Sequence, residues 1–136
     1  MKKLFTIISL IIVMILLTAC NDYTVDFGES EIYTHEDMNS AVNVIKRDFF
    51  SIFSKQKLIS LTYMGDEFCS EELSYCNELK NNKDTEYTQC IVFESSWMNT
   101  ARNSPVFEHN EIVTSYQFYL ARLDDGKWEL VMQGHP

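Results

Sequence analysis

Residues 34–54, THEDMNSAVNVIKRDFFSIFS, decide the fold, because their apolar side chains recur at helical spacing. Thr34 stands at the N-cap position, and Asp37 follows three residues later, a pattern typical of a helix start. Polar side chains occupy the other face. The pattern therefore predicts an amphipathic helix over about residues 35–54, with a core face of Met38, Ala41, Val42, Ile45, Phe49, Ile52 and Phe53.

Downstream of this helix, the hydrophobic period changes several times along the chain. Residues 66–79 predict a second helix, and residues 99–110, with Asn-Ser-Pro inside, predict a loop. Strands are predicted over residues 58–64, 86–98, 112–123 and 127–133. The order predicts one α+β domain over residues 35–136, in which the long N-terminal helix and the second helix pack on one face of a curved antiparallel sheet.

The Asp-Asp-Gly turn at residues 124–126 allows two registers of the last hairpin. A two-residue loop places Leu123 on the same side as Trp128. A three-residue loop with a left-handed Gly126 instead places Leu120 beside Leu130. A slip of one residue moves every side chain to the other face, so the two registers predict different cores. The sequence leaves both open, and we favour the second.

The chain begins with Met1-Lys2-Lys3, an apolar run over residues 4–17 and Leu17-Thr18-Ala19-Cys20. The run is shorter than the ~20 residues that span a bilayer, so residues 1–19 predict a cleaved signal peptide. Leu17-Thr18-Ala19-Cys20 resembles the bacterial lipobox. The resemblance implies that Cys20 becomes the first mature residue, carries diacylglycerol with acyl chains such as palmitate, and anchors a lipoprotein on the extracytoplasmic face of the cell membrane.

Charge does not favour a nucleic acid or an anionic membrane as a partner. The chain of 136 residues has a net charge of −9, and loss of Lys2 and Lys3 with the signal lowers it to −11. The lipid on Cys20, and not electrostatic attraction, is therefore expected to hold the protein at the membrane. Residues 20–34 predict a tether, although Tyr23, Val25 and Phe27 alternate and allow a short added strand.

Three further cysteines, Cys69, Cys76 and Cys90, follow the lipobox cysteine. Export permits disulfides. On one helix Cys69 and Cys76 would lie about 10.5 Å apart, beyond the ~7 Å limit for a bridge. A bridge would therefore join Cys90 to one of these two, preferably to Cys76 on the core-facing side, and three reduced structural thiols are the alternative.

Five aromatic residues from the predicted strands are expected on one side of the sheet. Either they line a ligand pocket in its concave face, or the long helix fills that space. The five candidate pocket residues are Tyr63, Trp97, Tyr116, Phe118 and Trp128.

The sequence contains no recognised catalytic or metal-binding motif. Its histidines are His35, His109 and His135, and Glu108-His109-Asn110-Glu111 lacks the spacing of a transition-metal site. We therefore expect no catalytic residue, metal or cofactor. The leading hypothesis is a noncatalytic domain that binds a protein, a peptide or a small apolar ligand. The alternatives are a small enzyme using the sheet cavity and a structural or inhibitor-like envelope protein.

The order of elements, together with YQFYLAR at residues 116–122 and DGKWEL at residues 125–130, resembles the cystatin-like, nuclear transport factor 2-like superfamily. More closely, it resembles an uncharacterised family of small Gram-positive lipoproteins. The resemblance covers about residues 35–136 and implies a curved sheet that wraps around a helix. The ending departs from the pattern, because Gln133 stands where relatives tend to have an aromatic residue before glycine. The family implies no activity.

Overall fold

A computed structural model describes residues 22–80 and 84–136. The predicted signal peptide and Cys20 lie outside these residues. Within them, no helix combines the length and apolarity needed to cross a membrane. The elements are β1 (Thr24–Asp26), α1 (His35–Ile52), β2 (Gln56–Tyr63), α2 (Asp66–Glu71), α3 (Leu73–Leu79), β3 (Gln89–Asn99), β4 (Ile112–Arg122) and β5 (Glu129–Gly134).

The described strands form one sheet in the order β1-β2-β3-β4-β5, so the α+β class is confirmed. Strands β2 to β5 are an antiparallel meander, but β1 pairs parallel to β2, with Thr24 opposite Ser60. The expectation of a wholly antiparallel sheet is therefore wrong. Helix α1 connects β1 to β2 as a crossover, and a crossover joins parallel strands. Residues 24–26 consequently belong to the sheet and not to a tether.

Helix α1 starts at a reciprocal cap. Asp37 N donates to Thr34 Oγ1 (3.1 Å), and Thr34 N donates to Asp37 Oδ2 (3.2 Å). The helix ends two residues before the end predicted from the sequence. Ile52, expected in the core, is 57% exposed, because Phe53 takes the core position and stacks on Trp97. The buried face consists of Met38, Ala41, Val42, Ile45 and Phe49.

The helices lie on opposite faces of the sheet. In β4 the neighbours Phe118 and Tyr119 point to opposite sides, as successive strand residues do. Phe49 of α1 contacts Phe118 (6.3 Å between ring centroids), whereas Tyr75 of α3 contacts Tyr119 (6.0 Å). The expectation that both helices share one face is therefore wrong. The reason lies in residues 90–93 of β3 and 118–121 of β4. These residues are all buried, without alternation, and such continuous burial is typical of strands that are covered on both faces.

The single helix predicted over residues 66–79 is two helices, α2 and α3, that meet at Glu72. The break gives the two cysteines of this segment different surroundings. Cys69 Sγ accepts a hydrogen bond from Val92 N (3.2 Å), at the edge of β3. Cys76 instead faces the sheet and contacts Cys90.

Beyond the end of β2, side chains form the hydrogen bonds with the backbone of β3. The last pair of these strands is Tyr63 with Phe93, and Met64 N still donates to Val92 O (3.1 Å), so the residues of β3 before Val92 lack that neighbour. Tyr33 Oη donates to Cys90 O (2.7 Å), and Cys69 Sγ satisfies Val92 N. Buried backbone groups need such partners. The segment before α1 therefore completes the sheet instead of hanging free from it.

Asp66 holds this segment in place. Its carboxylate accepts hydrogen bonds from Ser30 Oγ (2.5 Å), Glu31 N (2.7 Å) and Tyr63 Oη (2.7 Å). Burial opposes ionisation, but these hydrogen bonds outweigh it and lower the pKa of Asp66. The carboxylate thus joins residues 30–31 to the end of β2 and the start of α2.

The β4–β5 connection is longer than either predicted loop. Leu123 O accepts from Gly126 N (2.7 Å), and the positive φ angles belong to Asp124 (26°) and Asp125 (52°), not to Gly126. The expected left-handed Gly126 is therefore wrong, because a primed turn needs positive φ at both central residues. Gly126 is required for another reason: a Cβ there would lie 2.7 Å from Leu123 O.

The favoured hairpin register holds close to the turn. Leu120 pairs with Leu130, as that register predicts. Beyond this pair Val131 is the extra residue of a bulge in β5, and the pairing changes to the register of the two-residue loop. Tyr119 pairs with Met132, and Phe118 pairs with Gln133 and not with Met132, so the favoured register is wrong for this part of the hairpin.

A buried guanidinium connects four elements. The Arg122 side chain is 5% exposed and donates from Nη1 to Asp37 Oδ1 (3.0 Å) and from Nε to Gln89 Oε1 (2.7 Å). Its guanidinium also lies 4.1 Å from the ring centre of Trp128, and Trp128 Nε1 donates to Asp37 O (3.1 Å). Arg122 therefore joins the start of α1, the start of β3, the end of β4 and the connection to β5.

Asp37 is held as a carboxylate by this arrangement. Burial raises its pKa, but hydrogen bonds from Thr34 and the Arg122 guanidinium outweigh burial and lower the pKa below its usual range. The same side chain therefore caps α1 and neutralises Arg122.

Replacing Arg122 by Ala is expected to lower the free energy of unfolding by about 2–3 kcal/mol, because it leaves Asp37 and Gln89 without their buried partner. Urea unfolding measures the change. Arg47→Ala is the matched control: Arg47 is 72% exposed and pairs with Asp48 on the surface, so its loss should cost no more than about 0.5 kcal/mol. Equal losses for the two variants would contradict the role of Arg122.

Acid is expected to destabilise the fold through Asp37 and Asp66. Both folded-state pKa values lie below that of the unfolded chain, about 3.9, so their contribution is complete at neutral pH and is lost as the pH falls below about 4. Urea unfolding across this pH range measures the slope of the free energy of unfolding against pH. Asp66→Asn should flatten it, and an unchanged slope would show that Asp66 does not contribute.

Candidate functional site

The five aromatic residues proposed to line a pocket are packed in the core. Phe53 stacks on Trp97 (5.6 Å) and contacts Tyr116 (6.0 Å), and Phe49 contacts Phe118. Helix α1 and the residue after it therefore occupy the side of the sheet on which these aromatic side chains lie. Trp128 lies just before β5 and not within it. Tyr63, Trp97, Phe118 and Trp128 are all at most 7% exposed, and Tyr116 is partly buried.

The three described cysteines are free, buried thiols. Burial raises the pKa of Cys69 to about 11, so its thiol is protonated at neutral pH. Cys76 Sγ and Cys90 Sγ lie 3.3 Å apart across the α3–β3 interface. The hydrogen bond shared by the two thiols lowers the pKa of Cys76 and, together with burial, raises that of Cys90. The structure thus brings together the pair named from the sequence, with both thiols reduced.

The histidines lie on separate parts of the fold. His35 begins α1 and contacts the ring of Phe27 (4.7 Å), whereas His135 follows β5 and contacts Tyr116 (5.4 Å). His109 lies in the β3–β4 loop, where Glu111 accepts from Glu108 N (2.7 Å) and so closes the loop on itself. Across residues 22–80 and 84–136, no group of three His, Cys, Asp or Glu side chains could hold a metal ion.

A surface pocket of about 380 Å³ lies where β1 and β2 meet the C-terminal half of α1. We call it the lysine pocket. Lys46 and Lys57 supply positive charge, and Lys46 Nζ lies 5.6 Å from the centre of the Tyr23 ring. A mixed lining of this kind suits a small ligand with an apolar part and a negative group. The lining residues are Asp22, Tyr23, Lys46, Phe50, Gln56, Lys57 and Leu58.

The sequence did not reveal the lysine pocket, because the pocket exists only once β1 is paired with β2. The alternation of Tyr23, Val25 and Phe27 was the available signal. A strand of three residues is too short for that alternation to be distinguished from a tether.

Two other cavities are less suited to a small ligand with a negative group, one because its lining is acidic and one because it is small. One of about 400 Å³ is lined at the start of α2 by Asp66, Glu67 and Glu71, among others, and is acidic. One of about 200 Å³ lies beside Arg122 and Lys127.

Neither the family models, nor the curated proteins, nor the solved structures compared with this chain gave a match.

Oxidised glutathione is expected to convert the thiols of Cys76 and Cys90 to a disulfide, with loss of two hydrogens from the protein and formation of two reduced glutathiones. The loop of about 15 residues that this bond closes should add about 3 kcal/mol to the free energy of unfolding. Peptide mapping by mass spectrometry identifies the bond.

Cys69→Ser provides the control for this oxidation. It removes the remaining described thiol and should leave the bond intact, because Cys69 contacts Val92 and not the pair. Alkylation of both Cys76 and Cys90 after glutathione treatment would contradict the prediction.

Proposed function

We propose that this protein is a lipoprotein, anchored on the extracytoplasmic face of the cell membrane through diacylglycerol on Cys20. The observation that carries the proposal is Leu17-Thr18-Ala19-Cys20, placed directly after a cationic start and a short apolar run. Two acyl chains hold a protein stably on a bilayer, whereas one chain gives only marginal binding.

The position of the folded domain supports a mature chain that begins at Cys20. Tyr23 already contacts Lys46 of α1, and β1 begins at Thr24. Cleavage before Cys20 therefore leaves every described element intact. It also leaves the lipid only a few residues from the sheet.

We propose that the domain is a noncatalytic binding module that acts through its surface. Helix α1 packs on the aromatic side of the sheet, so a ligand there would have to displace Phe49 and Phe53 from the core. The enzyme hypothesis required a cavity on the aromatic side of the sheet, and α1 fills that space. The lysine pocket, by contrast, is open to solvent and has the size of a small-ligand site.

The family resemblance remains part of the proposal. A long helix against the β2–β5 meander is what a cystatin-like or nuclear transport factor 2-like cone contains, and this supports the assignment. Helix α3 on the opposite face, helix α2 beside the part of β3 that extends past β2, and the parallel β1 are additions to that plan. Membership in the small Gram-positive lipoprotein family rests on the lipobox and the terminal strand motif.

Cys20→Ser is expected to abolish incorporation of an alkyne-tagged fatty acid, because only the Cys20 thiol can form the thioether. In-gel detection of the tag measures incorporation, and intact mass should place the N-terminus of the wild-type mature chain at acylated Cys20. Asn21→Ser is the matched control and should remain labelled. Undiminished labelling of Cys20→Ser would contradict the proposal.

A further inference from the structure

The chain enters the domain at one particular end of the sheet. Strand β1 runs parallel to β2, so Asp22 and Tyr23 lie beside the first residues of β2 and line the lysine pocket with them. Cys20 is two residues from Asp22, a distance of at most about 7 Å along an extended chain. We call this end, with the last turns of α1, residues 53–57 and the β3–β4 loop, the anchor-proximal end.

The most exposed large apolar side chains lie at the anchor-proximal end, and four less exposed ones lie elsewhere. Among the large apolar residues described in 22–80 and 84–136, the four most exposed all lie there. Two are in the last turn of α1, one is in the β3–β4 loop and one begins β4. Their exposed fractions are 49% for Phe50, 57% for Ile52, 74% for Val106 and 59% for Ile112. Exposed apolar groups of this kind mark contact with a partner or a membrane.

The charges divide between the two ends of the domain. Five of the eight described lysine and arginine residues lie at the anchor-proximal end, against four of the twenty acidic residues. The remaining sixteen acidic residues share the rest of the domain with three basic ones. The basic residues of the anchor-proximal end are Lys46, Arg47, Lys55, Lys57 and Arg102.

Because the charges are divided in this way, the net charge alone does not predict how the domain meets an anionic membrane. A uniformly acidic domain is repelled by an anionic bilayer in every orientation. Here the bilayer repels the far end, while lysine ammonium groups of the near end can pair with lipid phosphates. The lysine pocket belongs to that near end, so the ligand with an apolar part and a negative group that it suits would here be a lipid, with Lys46 and Lys57 near the phosphate and Phe50 near the apolar part.

We infer that the anchor-proximal end docks on the anionic lipid surface that holds the anchor, with Phe50, Ile52, Val106 and Ile112 at the level of the headgroups. The inference rests on the lipid anchor proposed above. The partner is the bilayer because Cys20 places this end within a few residues of it, and because apolar and basic groups coincide there as interfacial binding requires. The acidic end then faces away from the membrane.

The test uses the full lipidated mature chain in vesicles of phosphatidylcholine and phosphatidylglycerol that contain brominated lipid. Bimane is attached at Val106→Cys, or at Leu123→Cys as the matched control, since Leu123 is 43% exposed at the opposite end. The native thiols at positions 69, 76 and 90 are buried, so the introduced cysteine is labelled selectively without denaturant. Brominated lipid is expected to quench the Val106 probe and leave the Leu123 probe unaffected.

Charge variants test the electrostatic contribution to docking. Lys55→Gln and Lys57→Gln should each lower the ratio of docked to undocked domain by about fivefold in vesicles with phosphatidylglycerol. Lys80→Gln and Lys127→Gln make the same charge change at the far end and should have no such effect. Equal effects of the two pairs would overturn the inference.

The acyl label on Cys20 is measured on the same samples, so the two proposals fail separately. An acylated chain whose Val106 probe is quenched no more than its Leu123 probe overturns the docking inference and leaves the anchor standing. Protection of Val106 by pairing of two chains, seen as a dimer by sedimentation, overturns it as well. A chain without an acyl group overturns both proposals.

Discussion

The packing of α1 on the aromatic side of the sheet is the constraint from which the rest of the structure follows. At its start, α1 is held by Asp37, which pairs with buried Arg122 and whose backbone carbonyl accepts from Trp128. At its end, Phe49 and Phe53 fill the space against Trp97. Because both ends are fixed, the helix is a rigid crossover between β1 and β2. It therefore also determines where the chain enters the domain and where the lysine pocket forms.

This constraint favours a function carried out by the surface of the domain over one that uses an interior pocket. The aromatic side chains that suggested a pocket are instead the core, and the described thiols serve packing and backbone hydrogen bonding. What remains accessible is an acidic far end and an anchor-proximal end with basic and apolar groups. The lipid anchor proposed on Cys20 would give the domain a defined orientation, with its acidic end directed away from the membrane.

Local patterns in the sequence predicted local structure, and failures came from contacts between distant residues. Helical spacing located α1, because that periodicity reflects burial on one face, and runs of strand-forming residues between turn signals located β3 and β4. Arg122 lay in a motif used for the family resemblance, yet its partner Asp37 is 85 residues away and no spacing rule connects them. The division of residues 66–79 at Glu72 also depends on β3, which requires Cys69 at its edge and Cys76 on its face. The buried runs in β3 and β4 did carry a signal for helices on both faces.

The central claim is that the anchor-proximal end meets the membrane. Amide hydrogen exchange of the lipidated chain, on phosphatidylglycerol vesicles and in detergent, tests it across the described backbone in one measurement. The account predicts slower exchange on vesicles for residues 50–57 and 102–112, with exchange at residues 123–127 unchanged. Slower exchange at residues 123–127, or no difference anywhere, would contradict it.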